Sequence, residues 1–224
     1  MCGRFTQTAS PAVIAQEFGV TVPPLFTPRY NIAPSQPVAA IRIEPGTTTR
    51  QLVQLRWGLI PSWAKDPKIG HQCINAKAET VAEKPSFRAA FKARRCLVIA
   101  TGFYEWQVQG KAKQPMWIGL KSHRPFAFAG LWEQWQPPEG TVIESCTIVT
   151  TDPNELLRPI HNRMPVILAP TAYDLWLDPT VQQGDSLKAL LRPYPSEELQ
   201  AYAVNTLVNN PRQDSSDCLE PLPA

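Results

Sequence analysis

Residues 96–132 read CLVIATGFYEWQVQGKAKQPMWIGLKSHRPFAFAGLW, and this stretch decides the fold. It contains four runs that are typical of β-strands, CLVIAT, FYEWQVQ, PMWIGLK and FAFAGLW, which are separated by Gly102, QGKAKQ and SHRP. Few segments elsewhere are long enough to be the crossover helices that parallel strands need. We therefore predict an α+β fold whose core is a strongly curved, barrel-like antiparallel sheet, with a few short helices around it.

The segments on either side of this stretch predict the remaining elements. Further strands are expected in VAAIRI (38–43), TTTRQLVQLRW (47–57), VIESCTIVT (142–150) and PVIL (165–168), the first two forming a hairpin. Short helices are expected from Ser10-Pro11 to Gly19, from Pro85 onward, at 171–177 and at 185–191. Residues 21–36, 58–80 and the tail at 205–224 are predicted to be irregular.

The composition is that of an ordinary globular protein, with 224 residues of which 43% are hydrophobic and 18% charged. We expect residues 1–224 to form a single domain. The 24 prolines exclude a helical bundle or a coiled coil. A run of about 18 apolar residues and an apolar signal segment are both absent from the sequence, so no membrane association is expected. The net charge of +3 allows a polyanionic partner without requiring one.

The five cysteines form an odd and scattered set, at positions 2, 73, 96, 146 and 218. This set predicts free thiols in a reducing cytoplasm rather than a disulfide framework. His71 and Cys73 could face the same side of a strand, but tetrahedral zinc usually takes two such pairs. We therefore expect no metal site and no cofactor.

Cys2 is the cysteine whose position allows the most chemistry. Because it is small, we expect removal of Met1, which leaves an α-amine and a thiol on one residue. The pKa of an α-amine is about 7.7–8.0, so part of it is neutral and nucleophilic at pH 7. The thiol could attack an acyl carbon with the amine as its base. Alternatively, the amine could condense with an aldehyde, and the thiol could then close a five-membered thiazolidine ring.

Ordered motifs distinguish between families that begin in this way. The opening MCG is shared with class II glutamine amidotransferases, but the HRG-type and NGE-type strings of those enzymes are absent. The motifs present are CGRFTQ (2–7), PRYNIAPSQPV (28–38), RWGLIPSWA (56–64), INAKAET (74–80), ATGFYEW (100–106) and IHNRMPVIL (160–168). Their order and spacing resemble the SOS-response-associated peptidase (SRAP) family of abasic-site processing proteins. The tail VNNPRQDSSDCLEP (208–221) is similar to the ending of that family.

The resemblance implies that mature Cys2 attaches covalently to the open-chain aldehyde of an abasic site in single-stranded DNA. It also implies that Glu105 is the general acid and base, and that His161 protonates the sugar ring oxygen or polarises the aldehyde. Asn75 matches the residue that holds the cysteine or the sugar through amide hydrogen bonds. If Glu105 is buried beside Phe103 on its strand, burial raises the pKa of its carboxyl and suits it to proton transfer.

The resemblance also identifies candidate DNA contacts, because single-strand binding needs cations for phosphates and aromatic faces for bases. These candidates are Arg4, Pro34, Trp63, Lys77, Lys84, Thr150 and Arg163. The sequence departs from the family pattern at three positions. Ala64 stands where a second tryptophan is frequent, and Lys77 replaces a common arginine, which keeps the charge but loses the bidentate fork. Pro85 stands where a basic residue is common, and Lys84 is the proposed substitute.

The leading hypothesis is therefore a sensor that forms a covalent crosslink with abasic single-stranded DNA in the DNA damage response. We expect it to be a cytoplasmic monomer, associated with the nucleoid if the source is bacterial. Two alternatives remain open. One is an N-terminal cysteine hydrolase of the peptidase or amidotransferase type, and the other is a noncovalent single-strand binding module in which Cys2 is inert.

Overall fold

The computed structural model describes residues 2–23, 26–137, 139–182 and 184–223. The strands in these residues are β1 (Phe5–Gln7), β2 (Arg29–Ile32), β3 (Pro37–Ile43), β4 (Arg50–Trp57), β5 (Asn75–Lys77), β6 (Arg95–Ala100), β7 (Gly102–Gln109), β8 (Ala112–Leu120), β9 (Phe126–Trp135), β10 (Ile143–Thr151), β11 (Met164–Pro165), β12 (Ile167–Leu168) and β13 (Leu199–Ala203). The α-helices are α1 (Pro11–Phe18), α2 (Arg88–Ala93), α3 (Tyr173–Leu177) and α4 (Gly184–Lys188).

Five strands close into a barrel. The order is β10, β4, β3, β6 and β9, and β9 pairs with β10 to complete the ring. Most pairs are antiparallel, but β4 runs parallel to β10, with Arg56 opposite Ser145. The α+β prediction with a barrel-like core is confirmed. The parallel pairing is a departure from a purely antiparallel sheet, and the chain between β4 and β10 contains β5, α2 and the strands β6 to β9.

A second antiparallel sheet has the order β13, β8, β7, β1 and β2. Phe5 of β1 lies opposite Phe103 of β7. The pairing continues toward the amino terminus, where the Tyr104 N–H donates to the Arg4 carbonyl at 2.9 Å. The residues that precede β1 therefore run along β7 toward Glu105. This register places the first residues of the chain beside Glu105 on β7, the central strand of the second sheet.

An apolar core joins the barrel to the second sheet. Phe5 contacts Trp57 edge-on with ring centroids 5.2 Å apart, and it contacts Phe128 at 5.7 Å. Phe103 packs against the same Phe128 ring at 6.0 Å. Edge-to-face pairs of this kind add about 0.5–1.5 kcal/mol each beyond the burial of their surface. Cys2 belongs to this cluster and is fully buried, so packing holds the beginning of the chain in place.

The helix predictions are confirmed in part. For α1, the Ser10 hydroxyl accepts from the Val13 N–H, and Gly19 ends the helix with a left-handed φ of 65°. α2 begins at Arg88 rather than at Pro85, because residues 79–87 form consecutive turns in which the Lys84 N–H already donates to the Thr80 carbonyl. The helices predicted at 171–177 and 185–191 are the shorter α3 and α4.

All three segments predicted to be irregular carry more structure than expected. The 58–80 segment contains β5, and the 21–36 segment contains β2. The tail has short 3-10 helices at Thr206–Asn209 and Ser216–Leu219, which bury Val208 and Cys218. Within the described ranges, no helix has both the length and the apolar character needed to cross a membrane.

Candidate active site

Cys2 is anchored through its main chain. The Asn75 side-chain amide donates to the Cys2 carbonyl at 2.8 Å. Asn75 begins β5, which runs parallel to β10 with Asn75 opposite Ile148. Two strands therefore hold the start of the chain. β7 pairs with the residues around Arg4, and β5 holds Cys2 through the Asn75 side chain.

Glu105 lies on β7 and is only 2% exposed, which confirms the predicted burial. Burial raises the pKa of its carboxyl to about 7. The carboxyl is therefore close to half protonated at neutral pH. A group in this state can both accept and donate a proton during one reaction.

His161 completes the cluster from a separate loop. Its Nε2 lies 3.8 Å from Oε2 of Glu105. Nδ1 of His161 lies 3.1 Å from the Arg163 N–H and 3.3 Å from the Arg163 carbonyl oxygen, so the main chain of Arg163 orients the ring with Nε2 toward Glu105. Burial lowers the pKa of His161, so its imidazole is neutral at pH 7. A neutral ring beside a half-protonated carboxyl can relay protons in either direction.

The Cys2 thiol is held as a neutral thiol. Burial raises its pKa, and the nearby carboxylate charge of Glu105 raises it further. The pairing of the Tyr104 N–H with the Arg4 carbonyl brings the first residues of the chain alongside Glu105. A thiolate is the reactive form in acyl transfer, so this environment does not prepare Cys2 to act first as a sulfur nucleophile.

Glu105 and His161 open onto a surface depression of about 530 Å³. The other residues that line it are Trp106, Val108, Lys113 and Asn209. The Trp106 indole N–H donates to Oδ1 of Asn209 at 2.7 Å, and the Arg4 guanidinium lies over the same indole, 5.8 Å from its centroid. We refer to this feature as the Glu105 depression.

Comparison with known proteins shows the family of the chain. The model of the SOS response associated peptidase (SRAP) family matches residues 1–211. The chain belongs to the SRAP family. The resemblance found in the sequence motifs is thereby confirmed, and this SRAP chain can be compared with its relatives over nearly its full length.

The SRAP relatives include bacterial and vertebrate proteins. The chain is 48% identical to the abasic site processing protein YoqW of Bacillus subtilis (strain 168), over 98% of this chain and 99% of that protein. It is 34% identical to the abasic site processing protein HMCES of Xenopus tropicalis, over 87% of this chain and 66% of that protein. A crystal structure of a protein from Bacteroides thetaiotaomicron matches with a TM-score of 0.87 and 28% identity, covering 99% of this chain and 100% of that one.

The predicted catalytic residues of this SRAP chain come together, although they are distant in sequence. Cys2, Asn75, Glu105 and His161 lie on an amino-terminal segment, β5, β7 and a loop respectively. Their roles remain predictions. Sequence reasoning did not select Lys113 or Asn209, and it named Trp106 only as a neighbour of Glu105. Trp106 is part of the FYEW motif and Asn209 is part of the VNNP motif, so the motifs contained the signal for these two residues.

Three of the predicted DNA contacts present exposed side chains. Trp63 is 58% exposed, and its indole N–H points to the Pro85 carbonyl at 3.4 Å. Lys77 and Lys84 are also exposed, whereas Pro34 is half-buried. Because Lys84 directly precedes Pro85, Trp63 and Lys84 form one surface that combines an aromatic face with a positive charge.

The other three predicted DNA contacts have partners within the protein. Arg163 forms a bidentate pair with Glu79, at 2.6 and 3.0 Å, and also contacts Asp152 at 3.0 Å. Arg4 donates to the Asn31 side chain and to the Val208 carbonyl. Thr150 is fully buried, with its hydroxyl 3.5 Å from the Ala76 carbonyl, so as placed it offers no surface to DNA. Its contribution here is to join β5 to β10.

Proposed function

We propose that this chain captures abasic sites in single-stranded DNA by forming a thiazolidine through mature Cys2. The observation that carries the proposal is the anchoring of Cys2 by Asn75 next to the buried Glu105–His161 pair. The names of the relatives support the substrate, since YoqW and HMCES are both called abasic site processing proteins. Such a role places the protein in the cytoplasm with the DNA, as part of the damage response.

The reaction joins one aldehyde, one amine and one thiol, and it releases one water. After removal of Met1, the Cys2 amine adds to C1′ of the open-chain sugar, and the carbinolamine loses its hydroxyl as water to give an imine. The thiol sulfur then bonds to the same carbon, and the thiol proton passes to the imine nitrogen. Ring closure is favoured because the second nucleophile is held on the same residue.

Each neighbouring residue has a defined part in this sequence. Glu105, with a pKa of about 7, donates the proton that makes the carbinolamine hydroxyl leave, regains one from the nitrogen as the imine forms, and relays the thiol proton to that nitrogen at ring closure. His161, whose Nε2 lies 3.8 Å from Oε2 of Glu105, exchanges a proton with the sugar oxygen and with Glu105. Asn75 positions Cys2 through the carbonyl, which leaves the amine and the thiol free to react.

The raised pKa of the thiol separates this function from the hydrolase alternative. An acyl-transfer nucleophile needs a thiolate, and burial and Glu105 both disfavour one at Cys2. In the aldehyde route, the amine reacts first and the neutral thiol follows. Peptidase activity is therefore assigned a secondary role, such as release of the crosslink.

A strongly basic surface is not required by this mechanism. The net charge is only +3, and Arg163 is paired with carboxylates. Retention on DNA comes from the covalent bond, while Trp63, Lys77 and Lys84 guide the strand by stacking and charge. This division explains how a nearly neutral protein can hold DNA.

The test is the intact mass of the purified protein, alone and after mixing with an abasic oligonucleotide. We expect loss of the Met1 mass and a heat-stable adduct equal to protein plus oligonucleotide minus one water. Cys2→Ser can form the imine through its amine but not the thiazolidine, so its adduct should be labile to heat. Cys218→Ser is the matched control, because that thiol is also buried but lies in the tail.

Two further measurements separate the alternatives. An uncleavable amino-terminal extension that retains Cys2 should abolish capture, because the α-amine is then an amide. Equal heat-stable capture by Cys2→Ser would contradict the mechanism. Glutaminase activity without any aldehyde adduct would favour the hydrolase, and equal, salt-sensitive binding of abasic and intact strands would favour the noncovalent module.

A further inference from the structure

The outer face of the β7–β8 hairpin carries an aromatic side chain and a cation beside the Glu105 depression. In the antiparallel register, Trp106 lies opposite Pro115 and Val108 lies opposite Lys113. Lys113 is therefore a diagonal neighbour of Trp106 on the same face of the sheet, because strand side chains alternate with a period of two. Both residues line the depression that also contains Glu105 and His161.

The two side chains differ in how firmly they are held. The Trp106 indole is fixed by Asn209 at its N–H and is covered in part by the Arg4 guanidinium, yet the residue remains partly exposed. Lys113 is exposed and forms no ion pair within the described ranges. A fixed aromatic ring and a free ammonium at neighbouring positions match the base and phosphate of one nucleotide.

Trp106 and Lys113 lie in a different part of the fold from Trp63, Lys77 and Lys84. Trp63, Lys77 and Lys84 belong to the barrel side, on β5 and on the loops that flank it. Trp106 and Lys113 belong to the second sheet. The positive charge of Lys113 also reaches the reactive cluster, since it lowers the pKa of His161 in addition to the larger effect of burial. A strand whose abasic sugar reaches Glu105 therefore has candidate contacts both in the second sheet and in the loops and β5 of the barrel side.

We propose that Trp106 and Lys113 form a subsite for the nucleotide next to the abasic residue, with its base stacked on Trp106 and its phosphate bound by Lys113. This subsite rests on the proposed function, because it binds the same single strand. It adds Trp106 and Lys113, next to Arg4, to the DNA contacts that the sequence motifs predicted.

The first test measures the rate of adduct formation at limiting protein for Lys113→Ala, Lys113→Arg and Lys121→Glu. Lys121 is the matched control, as an exposed lysine at the opposite end of β8. We expect Lys113→Ala to react about 5- to 10-fold more slowly at low salt, with the slope of log rate against log salt reduced by about 0.7, the value for one phosphate of a single strand. Lys113→Arg and Lys121→Glu should retain the rate of the unmodified protein.

Substrates with a single uncharged methylphosphonate linkage locate the contact. One linkage beside the abasic residue should slow the unmodified protein by the same factor and should not slow Lys113→Ala any further. Replacement of the neighbouring nucleotide by tetrahydrofuran, which has no base and no aldehyde, should slow the unmodified protein but not Trp106→Leu. If the substrate change slowed Lys113→Ala or Trp106→Leu by the same factor as it slowed the unmodified protein, the subsite would be overturned.

Capture of free 2-deoxyribose separates this proposal from the proposed function. The sugar has the aldehyde but no phosphate, so Lys113→Ala should capture it at the unmodified rate. A reduced rate would mean that Lys113 acts on the reacting groups through His161, which would overturn the subsite and leave thiazolidine formation intact. If the unmodified protein forms no adduct with deoxyribose or DNA, the proposed function itself fails.

Discussion

At the scale of single residues, the site depends on an unfavourable burial. Glu105 is placed almost wholly out of water, where its ionised form is destabilised, and its pKa rises from 4.5 to about 7. The same burial that makes the group useful for proton transfer lowers the stability of the folded chain above the ordinary carboxyl pKa. In the proposed mechanism, Asn75 orients Cys2 and His161 exchanges protons with Glu105.

Glu105→Gln should separate these two effects. We expect adduct formation to fall by about 100-fold, the usual loss when a general acid–base group is removed. The pH–rate profile of the unmodified protein should bend near pH 7, and the variant should lack this bend.

The stability of Glu105→Gln should change with pH in a defined direction. With a raised folded-state pKa, the contribution of protonated Glu105 is fully present below pH 4.5 and is lost as the pH rises through about 7. Between pH 4.5 and 8, the free energy of unfolding of the variant should therefore rise relative to that of the unmodified protein, by about 3 kcal/mol at most. Urea unfolding at both pH values measures this gain, and a constant difference would contradict the assigned pKa.

At the scale of elements, the β7–β8 hairpin depends on close packing around one tryptophan. A Cβ atom at Gly119 would lie 2.3 Å from the Trp117 ring, and one at Gly102 would also lie 2.3 Å from it. Trp117 in turn packs against Tyr202 of β13 with centroids 5.0 Å apart. The two glycines thus allow the ring to lie flat on the sheet that carries Glu105, Trp106 and Lys113.

Gly119→Ala should displace Trp117 and destabilise the protein by about 1–3 kcal/mol, the usual cost of overpacking. For a chain of this length, each kcal/mol corresponds to about 2–4 °C in Tm. Gly184→Ala is the control, because its added methyl group would be 3.9 Å from the nearest atom, in Lys188. Thermal melts should show a clear loss for the first variant and a change within about 1 kcal/mol for the second. Equal Tm values would show that Trp117 moves freely.

At the scale of the whole molecule, the tail ties the second sheet to the site. Asp214 accepts from Arg29 and from the Tyr30 and Asn31 N–H groups, while the Asn31 amide donates to the carbonyls of Val208, Asn210 and Gln213. The same tail supplies the Asn209 oxygen that fixes Trp106. The last part of the chain therefore stabilises residues beside its first part.

Asp214→Ala should loosen this attachment and lower stability by about 1 kcal/mol, because the carboxylate is partly exposed and its interactions are screened. Burial alone would raise the pKa of Asp214, but the bonds from Arg29 and the two N–H groups hold it below its ordinary value. Its contribution is thus present above pH 3.8 and is lost as the pH falls further. Melts at pH 7 and pH 3, with Asp217→Ala as control, should show a difference that shrinks in acid; a difference that grows would contradict this.

The local sequence was sufficient to predict most strands and α1. Runs of apolar residues bounded by Gly and Pro act within a few residues, so CLVIAT, FAFAGLW and the 38–57 hairpin are readable without a partner. The start of α2 was misplaced because the turns at 79–87 are stabilised by their own hydrogen bonds. β1, β2, β5 and β13 were missed, since each is only three to five residues long and exists through pairing with a distant strand.

By itself, the sequence determined the α+β class, the family and the set of residues available for chemistry. The tertiary structure alone decided that the barrel closes through a parallel β4–β10 pair and that Asn75 reaches Cys2 across 73 positions of sequence. It also decided that Arg163 is neutralised by Glu79 and Asp152. The physical reason is that these main-chain hydrogen bonds and buried contacts join residues that are distant in sequence. A short segment shows that it needs a partner but does not specify which distant segment will be that partner.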